Sequence, residues 1–229
     1  MGHSGSLGLA TEVSIPSGLV SLGGELRVPA GARGIVLFAH GSGSSRFSPR
    51  NQQVAGAIRG AGIGTLLFDL LTAQEEAAER VTRHLRFNID LLAGRLRDAT
   101  VWLQSLREAQ DLTVGYFGAS TGAAAALVAA AELGDTIKAV VSRGGRPDLA
   151  GNRLPFVKAP TLLIVGGADE GVIDLNRQAF ARLNCVKEMT IVPGATHLFE
   201  ERGALEKVAL LATNWFAKYF TGEPVFESA

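Results

Sequence analysis

The chain has 229 residues, 47% of them apolar, with 22 Lys and Arg against 22 Asp and Glu, so its formal net charge is zero. That length suits one α/β domain with a sizeable core, and without a basic excess neither nucleic acid nor an anionic membrane surface is expected as a partner. A single cysteine, Cys185, rules out an intrachain disulfide, and no run reaches the roughly 18 continuous apolar residues of a membrane span.

The start, Met1-Gly2-His3-Ser4-Gly5-Ser6, lacks the charge-then-apolar order of a signal peptide, so a cytoplasmic protein is expected. Residues 1–10 read as a disordered lead-in or cloning remnant, 11–222 as one domain and 223–229 as a tail. Residues 11–15 and 19–28 predict two edge strands around a Pro16-Ser17-Gly18 turn. The run 34–39 is continuously apolar, the pattern of a strand buried on both faces of a parallel sheet. It ends in the loop His40-Gly41-Ser42-Gly43-Ser44-Ser45-Arg46, and a helix begins near Pro49, running to about Ala61.

Residues 63–70 predict the next buried strand. The polar segment 72–87 reads as loop or short helix. Asn88 is a suitable N-cap for an amphipathic helix to about Glu108, with Ile89, Leu92, Leu96, Ala99 and Leu103 on one face. Strands are expected at 112–117, 137–141, 160–165 and 188–192, and helices at 120–133, 175–183 and 203–220. Regular alternation of strand and helix predicts a three-layer α/β/α sandwich around a mostly parallel sheet. Only about 18 residues, 142–159, join the strand at 137–141 to the next, and the 72–87 segment is the other long connection, a candidate cover for whatever site the strand ends form.

Where the apolar run 114–117 meets the alanine-rich run 123–131 stands Gly118-Ala119-Ser120-Thr121-Gly122. A Gly-x-Ser-x-Gly between strand and helix is a nucleophile elbow, in which the chain turns so sharply that small residues flank an exposed serine. Two later strand ends carry Asp169, in Gly166-Gly167-Ala168-Asp169, and His197, in Pro193-Gly194-Ala195-Thr196-His197. Parallel α/β sheets place their sites beyond the carboxyl ends of strands. Ser120, Asp169 and His197 therefore converge on one edge as a candidate triad. A serine hydroxyl is a weak nucleophile and needs a neutral imidazole to take its proton. The imidazole in turn needs a carboxylate to orient it and to stabilise the cation that forms. Glu170 and Asp174 compete with Asp169 for the acid role, Asp174 being better suited to helix capping. The backbone N–H groups of Thr121 and Ser42 are the expected oxyanion hole. His40 is expected to hold that loop through backbone hydrogen bonds.

With these residues in place, the chain resembles the α/β-hydrolase-fold serine hydrolases and is similar to their dienelactone-hydrolase-like branch. The likeness rests on residues 39–46, 118–122, 165–169 and 193–197 and runs from about 20 to 220. It implies a central sheet of about eight strands and hydrolysis of small esters or lactones through an acyl-enzyme, without a cofactor. Dienelactone hydrolases proper carry a cysteine nucleophile where this elbow has Ser120, so the resemblance implies a general carboxylic-ester hydrolase. An acyltransferase using the same triad, or an inactive binding protein of the same fold, is the alternative. Monomer and homodimer are equally compatible with the sequence. Arg46 lies in the expected oxyanion loop, Arg143 and Arg146 follow a strand that ends at the expected site, and Arg50 is a fourth arginine to be placed. Each either holds a substrate carboxylate or phosphate, or serves as a structural bridge to Asp69, Asp148 or a backbone carbonyl. No metal site is expected, and Cys185 reads as a small buried hydrophobe.

Overall fold

The computed structural model describes residues 8–221. Residues 1–7 of the expected lead-in and the expected tail 223–229 lie outside them. Thr11–Ser17 (β1) and Val20–Arg27 (β2) form an antiparallel hairpin with Ser17 opposite Val20. Pro16 was expected in the turn but lies in β1. That strand is the sheet edge, where a residue without an N–H is tolerated. The remaining strands are Gly34–Ala39 (β3), Gly64–Phe68 (β4), Thr113–Ala119 (β5), Ile137–Arg143 (β6), Thr161–Gly166 (β7) and Lys187–Val192 (β8). Among the described residues they make one eight-stranded sheet in the order β1-β2-β4-β3-β5-β6-β7-β8, parallel from β4 to β8.

Every residue of β3, β4 and β7 is buried, as their unbroken apolar runs require. One face packs Leu37, Tyr116 and Val140 against Ile89–Ser105 (α3) and Thr121–Leu133 (α4). The other packs Val36, Phe38 and Phe117 against Pro49–Gly60 (α1) and Ala204–Thr221 (α6). In α4 the whole run Thr121 to Ala130 is buried. Its small side chains let the helix lie close to the sheet and to α3, and that fixes where its N-terminus emerges.

The helix expected at 175–183 begins earlier, at Glu170, and runs to Arg182 (α5). Gly171 weakens the helical signal there, but Asp169 occupies the N-cap position and the helix starts directly behind the strand loop. The segment 72–87 is helical at Ala73–Thr82 (α2), followed by a 3-10 turn at Leu85–Phe87. Thr72 and Glu75 close a capping box, each side chain accepting from the other's backbone N–H, at 3.2 and 2.8 Å. The 142–159 connection holds only a 3-10 segment, Pro147–Phe156, and no cap domain is present among the described residues. No described helix is long and apolar enough to cross a membrane.

Candidate active site

Ser120 leaves β5 with φ +51° and ψ −124°, a backbone conformation few side chains adopt. The two glycines of the motif explain how the turn fits. A Cβ on Gly118 would lie 2.4 Å from Ala123 Cα, and one on Gly122 would lie 2.1 Å from the Ala39 carbonyl oxygen. The elbow is tied to the neighbouring strand end. Ser120 N–H donates to the Arg143 carbonyl at 3.4 Å, and the Ser120 carbonyl accepts from Arg146 N–H at 3.1 Å.

His197 follows β8 and its turn. Its Nδ1 lies 2.7 Å from Asp169 Oδ2. A carboxylate can only accept, so Nδ1 carries the proton and Nε2 is left with its lone pair free. Asp174, the competing acid, instead pairs with Arg177 at 3.1 Å on the surface. The loops carrying the acid and the imidazole are laced together. Gly167 N–H donates to the Val192 carbonyl at 2.8 Å, and Ala168 N–H to the Ala195 carbonyl at 2.9 Å. Gly144, just beyond β6, lies beneath the imidazole loop: a Cβ there would sit 2.9 Å from the His197 carbonyl oxygen. Among the described residues the Ser120 hydroxyl has no hydrogen-bonded partner.

The loop after β3 is held at both ends. Leu70 N–H donates to His40 Nε2 at 2.9 Å, and His40 Nδ1–H donates to the Gly41 carbonyl at 3.0 Å. Burial pushes His40 below its ordinary value, which agrees with a neutral ring accepting at Nε2. At the other end Arg46 N–H donates to Asp69 Oδ1 at 2.8 Å, while its guanidinium bonds Asp69 Oδ2. Between these anchors the loop crosses the start of α4. Gly41 is so close to Ser120 that an added Cβ would come within 2.9 Å of the serine Cβ, and Ser42 Oγ lies 3.1 Å from Thr121 Oγ1.

The arginines separate into two groups. Arg46 is engaged by Asp69 and Glu12, and Arg146 makes a two-pronged bridge to Asp148 at 2.8 Å for each bond. Both guanidinium groups are thus bridged to carboxylates. Arg143 is 7% exposed and has no carboxylate partner among the described residues.

A narrow pocket opens beside the loop, lined by His40, Ser42, Leu71, Glu76, Leu92 and Thr121 among others. Glu76 belongs to α2, so the 72–87 segment does form one wall. Sequence reasoning missed Gly144, Gly145 and Asn176 as supports. The buried Asn176 amide donates to the Gly145 carbonyl at 3.0 Å and so shapes the loop after β6. The Gly-Gly pair directly after a strand was the available signal. No group of three or more His, Cys, Asp or Glu among the described residues is gathered as a metal ion would require.

A model of the dienelactone hydrolase family matches residues 27–220. A crystal structure of a dienelactone hydrolase from Anabaena variabilis is 59% identical with a TM-score of 0.92, the match covering 94% of this chain and 100% of that one. In two strains of Mycobacterium tuberculosis a protein named "Putative phosphoribosyl transferase" is 57% identical over 211 residues, 92% of this chain and 47% of the relative. The chain thus spans about half the length of these curated relatives. An α/β serine hydrolase without lid from Xanthomonas campestris shares the fold, at 20% identity and a TM-score of 0.73 over 94% of this chain and 97% of that one.

Proposed function

Since the chain belongs to the dienelactone hydrolase family, we propose that it is a serine hydrolase cleaving carboxylic esters or lactones of small acyl groups through an acyl-enzyme. The observation that carries this reading is the 2.7 Å Asp169–His197 hydrogen bond at the sheet edge where the strained Ser120 emerges. In the proposed reaction His197 Nε2 takes the Ser120 proton as Oγ attacks the acyl carbon. Asp169 keeps the ring in the Nδ1–H tautomer and offsets the imidazolium charge. The proton then passes to the leaving alkoxide. Water, deprotonated by the same nitrogen, hydrolyses the ester left on Ser120.

The tetrahedral oxyanion is assigned to the N–H groups of Thr121 and Ser42. Thr121 is the first residue of α4, where helical N–H groups lack intrahelical partners and the dipole favours negative charge. The Ser42–Thr121 side-chain contact supports bringing the second donor alongside. The short connection after β6, with no cap domain among the described residues, leaves little surface to bind a long chain and favours a small acyl group. The transferase name of the mycobacterial relatives belongs to proteins about twice this length, and we assign the hydrolase chemistry to the portion this chain matches.

The test is labelling with a fluorophosphonate, followed by mass-spectrometric location of the adduct. Stoichiometric modification of Ser120 is expected. Folded protein that leaves Ser120 unmodified would overturn the proposal and favour a binding role for the fold.

A further inference from the structure

At the end of β6, Arg143 sits opposite Ala119, the residue before the nucleophile. Its side chain runs under the His197 loop towards α1, over the face of Phe199 with 5.9 Å from guanidinium carbon to ring centre. Among the described residues its only hydrogen bond is a long one, from Nη2 to Asn51 Oδ1 at 3.5 Å, and its Nε is buried with no partner. A buried guanidinium is almost always paired, because an unpaired buried charge is costly.

The neighbour on α1 makes matters worse. Arg50, one residue before Asn51, is near enough for its charge to act on Arg143, and it too has a buried Nε without a partner among the described residues. Among the described residues the one carboxylate on Arg50 is Glu200, at 3.2 Å from Nη1 and itself 63% exposed, and it forms no bridge to Arg143. Burial first, and the Arg50 charge second, draw the Arg143 guanidinium down to about 10. Two cations, one buried, thus lie near each other at the end of β6, each with a buried Nε that has no partner among the described residues.

We propose that Arg143 and Arg50 form a subsite for a phosphate monoester group carried by the substrate. This rests on the ester-hydrolase reading of Ser120. Phosphate fits better than carboxylate for two reasons. A phosphate monoester has three terminal oxygens and close to two charges at neutral pH, matching two guanidinium forks, whereas one carboxylate occupies a single fork. On the His40 side of the nucleophile the pocket is lined by Glu76, Glu79 and Arg86, and because Arg86 is taken by Glu79 the remaining Glu76 carboxylate disfavours an anion. The phosphate end and the small acyl end of the substrate are therefore sorted to different sides of Ser120.

The experiment titrates inorganic phosphate onto the Ser120→Ala protein by calorimetry, so that binding is read without turnover, with acetate as the comparison anion. One phosphate per chain is expected. Each of Arg50→Gln and Arg143→Met, placed in the same background, should weaken it at least about tenfold, the loss of a charge-assisted bidentate contact. Acetate should bind at least about tenfold more weakly than phosphate. No phosphate binding, binding unchanged by Arg50→Gln, or acetate equal to phosphate would each overturn the proposal. Should Arg143→Met fail to fold, Arg50→Gln on the surface of α1 decides alone. Fluorophosphonate labelling of wild type separates the two readings. Labelling without phosphate binding removes the subsite only. Phosphate binding without labelling supports the subsite and removes the hydrolase.

Discussion

Glu75 gives a prediction that can be worked from the structure. Its carboxylate receives both ends of the Arg95 fork, with Nη1 at 2.6 Å from Oε2, and Nη1 also donates to the Leu70 carbonyl at 2.6 Å. Leu70 N–H in turn holds His40, so the pair ties α2 and α3 to the anchor of the proposed oxyanion loop. The Arg95 hydrogen bonds hold Glu75 at about 2, against an ordinary 4.5. That difference corresponds to about 3 kcal/mol, which screening of the 26% exposed Glu75 side chain reduces to about 2 kcal/mol. Because the folded value is depressed, the stabilisation is fully present above pH 4.5 and is lost as pH falls towards 2. Urea unfolding of wild type and Glu75→Gln from pH 7 to pH 2 reads it directly. The variant should be about 2 kcal/mol less stable at pH 7, and most of the gap should close as pH approaches 2, where about half of the wild-type Glu75 has become neutral. A gap that stays constant across this range, or that is absent at pH 7, would refute the reasoning.

Three further outcomes follow from the site. Asp169→Asn should lower kcat on a small p-nitrophenyl ester by about 10³- to 10⁴-fold with little change in folding, since the imidazole loses its orienting anion; a loss under tenfold would contradict the assignment. Gly122→Ala puts a methyl group 2.1 Å from the Ala39 carbonyl oxygen and should cost about 3 kcal/mol or more in urea unfolding, whereas an unchanged midpoint would show that the elbow yields freely. Relative to Ser120→Ala, Ser120→Gly should be more stable by about 1 kcal/mol, because glycine relieves the positive φ at some entropic cost. Equal melting temperatures of the two variants would argue against strain at the elbow.

What the sequence made legible was what is encoded locally. A buried parallel strand declares itself as an unbroken apolar run, and the elbow declares itself because Gly118, Ser120 and Gly122 are all demanded by one turn. The acid and the imidazole were placed from strand ends alone, since the topology brings those ends to one edge. Partners across the fold were harder to read. Nothing in the chain distinguishes Arg46, taken by Asp69 23 positions away, from Arg143, whose long bond reaches Asn51 92 positions away. Arg146 was simpler, because Asp148 is two residues off. The 72–87 segment stayed ambiguous for a similar reason. Its helix depends on the Thr72–Glu75 capping box and on Arg95 from another helix, while its apolar pattern is weak. Gly171 hid the first turn of α5, although Asp169 and the preceding strand loop set its start.

The central claim is that Ser120 attacks an acyl carbon, and turnover of p-nitrophenyl acetate by wild type and Ser120→Ala tests it most directly. The account predicts saturable hydrolysis by wild type and a fall in kcat of about 10⁴-fold or more in the variant, whose unfolding midpoint should show the fold intact. A Ser120→Ala protein that keeps wild-type turnover would contradict it.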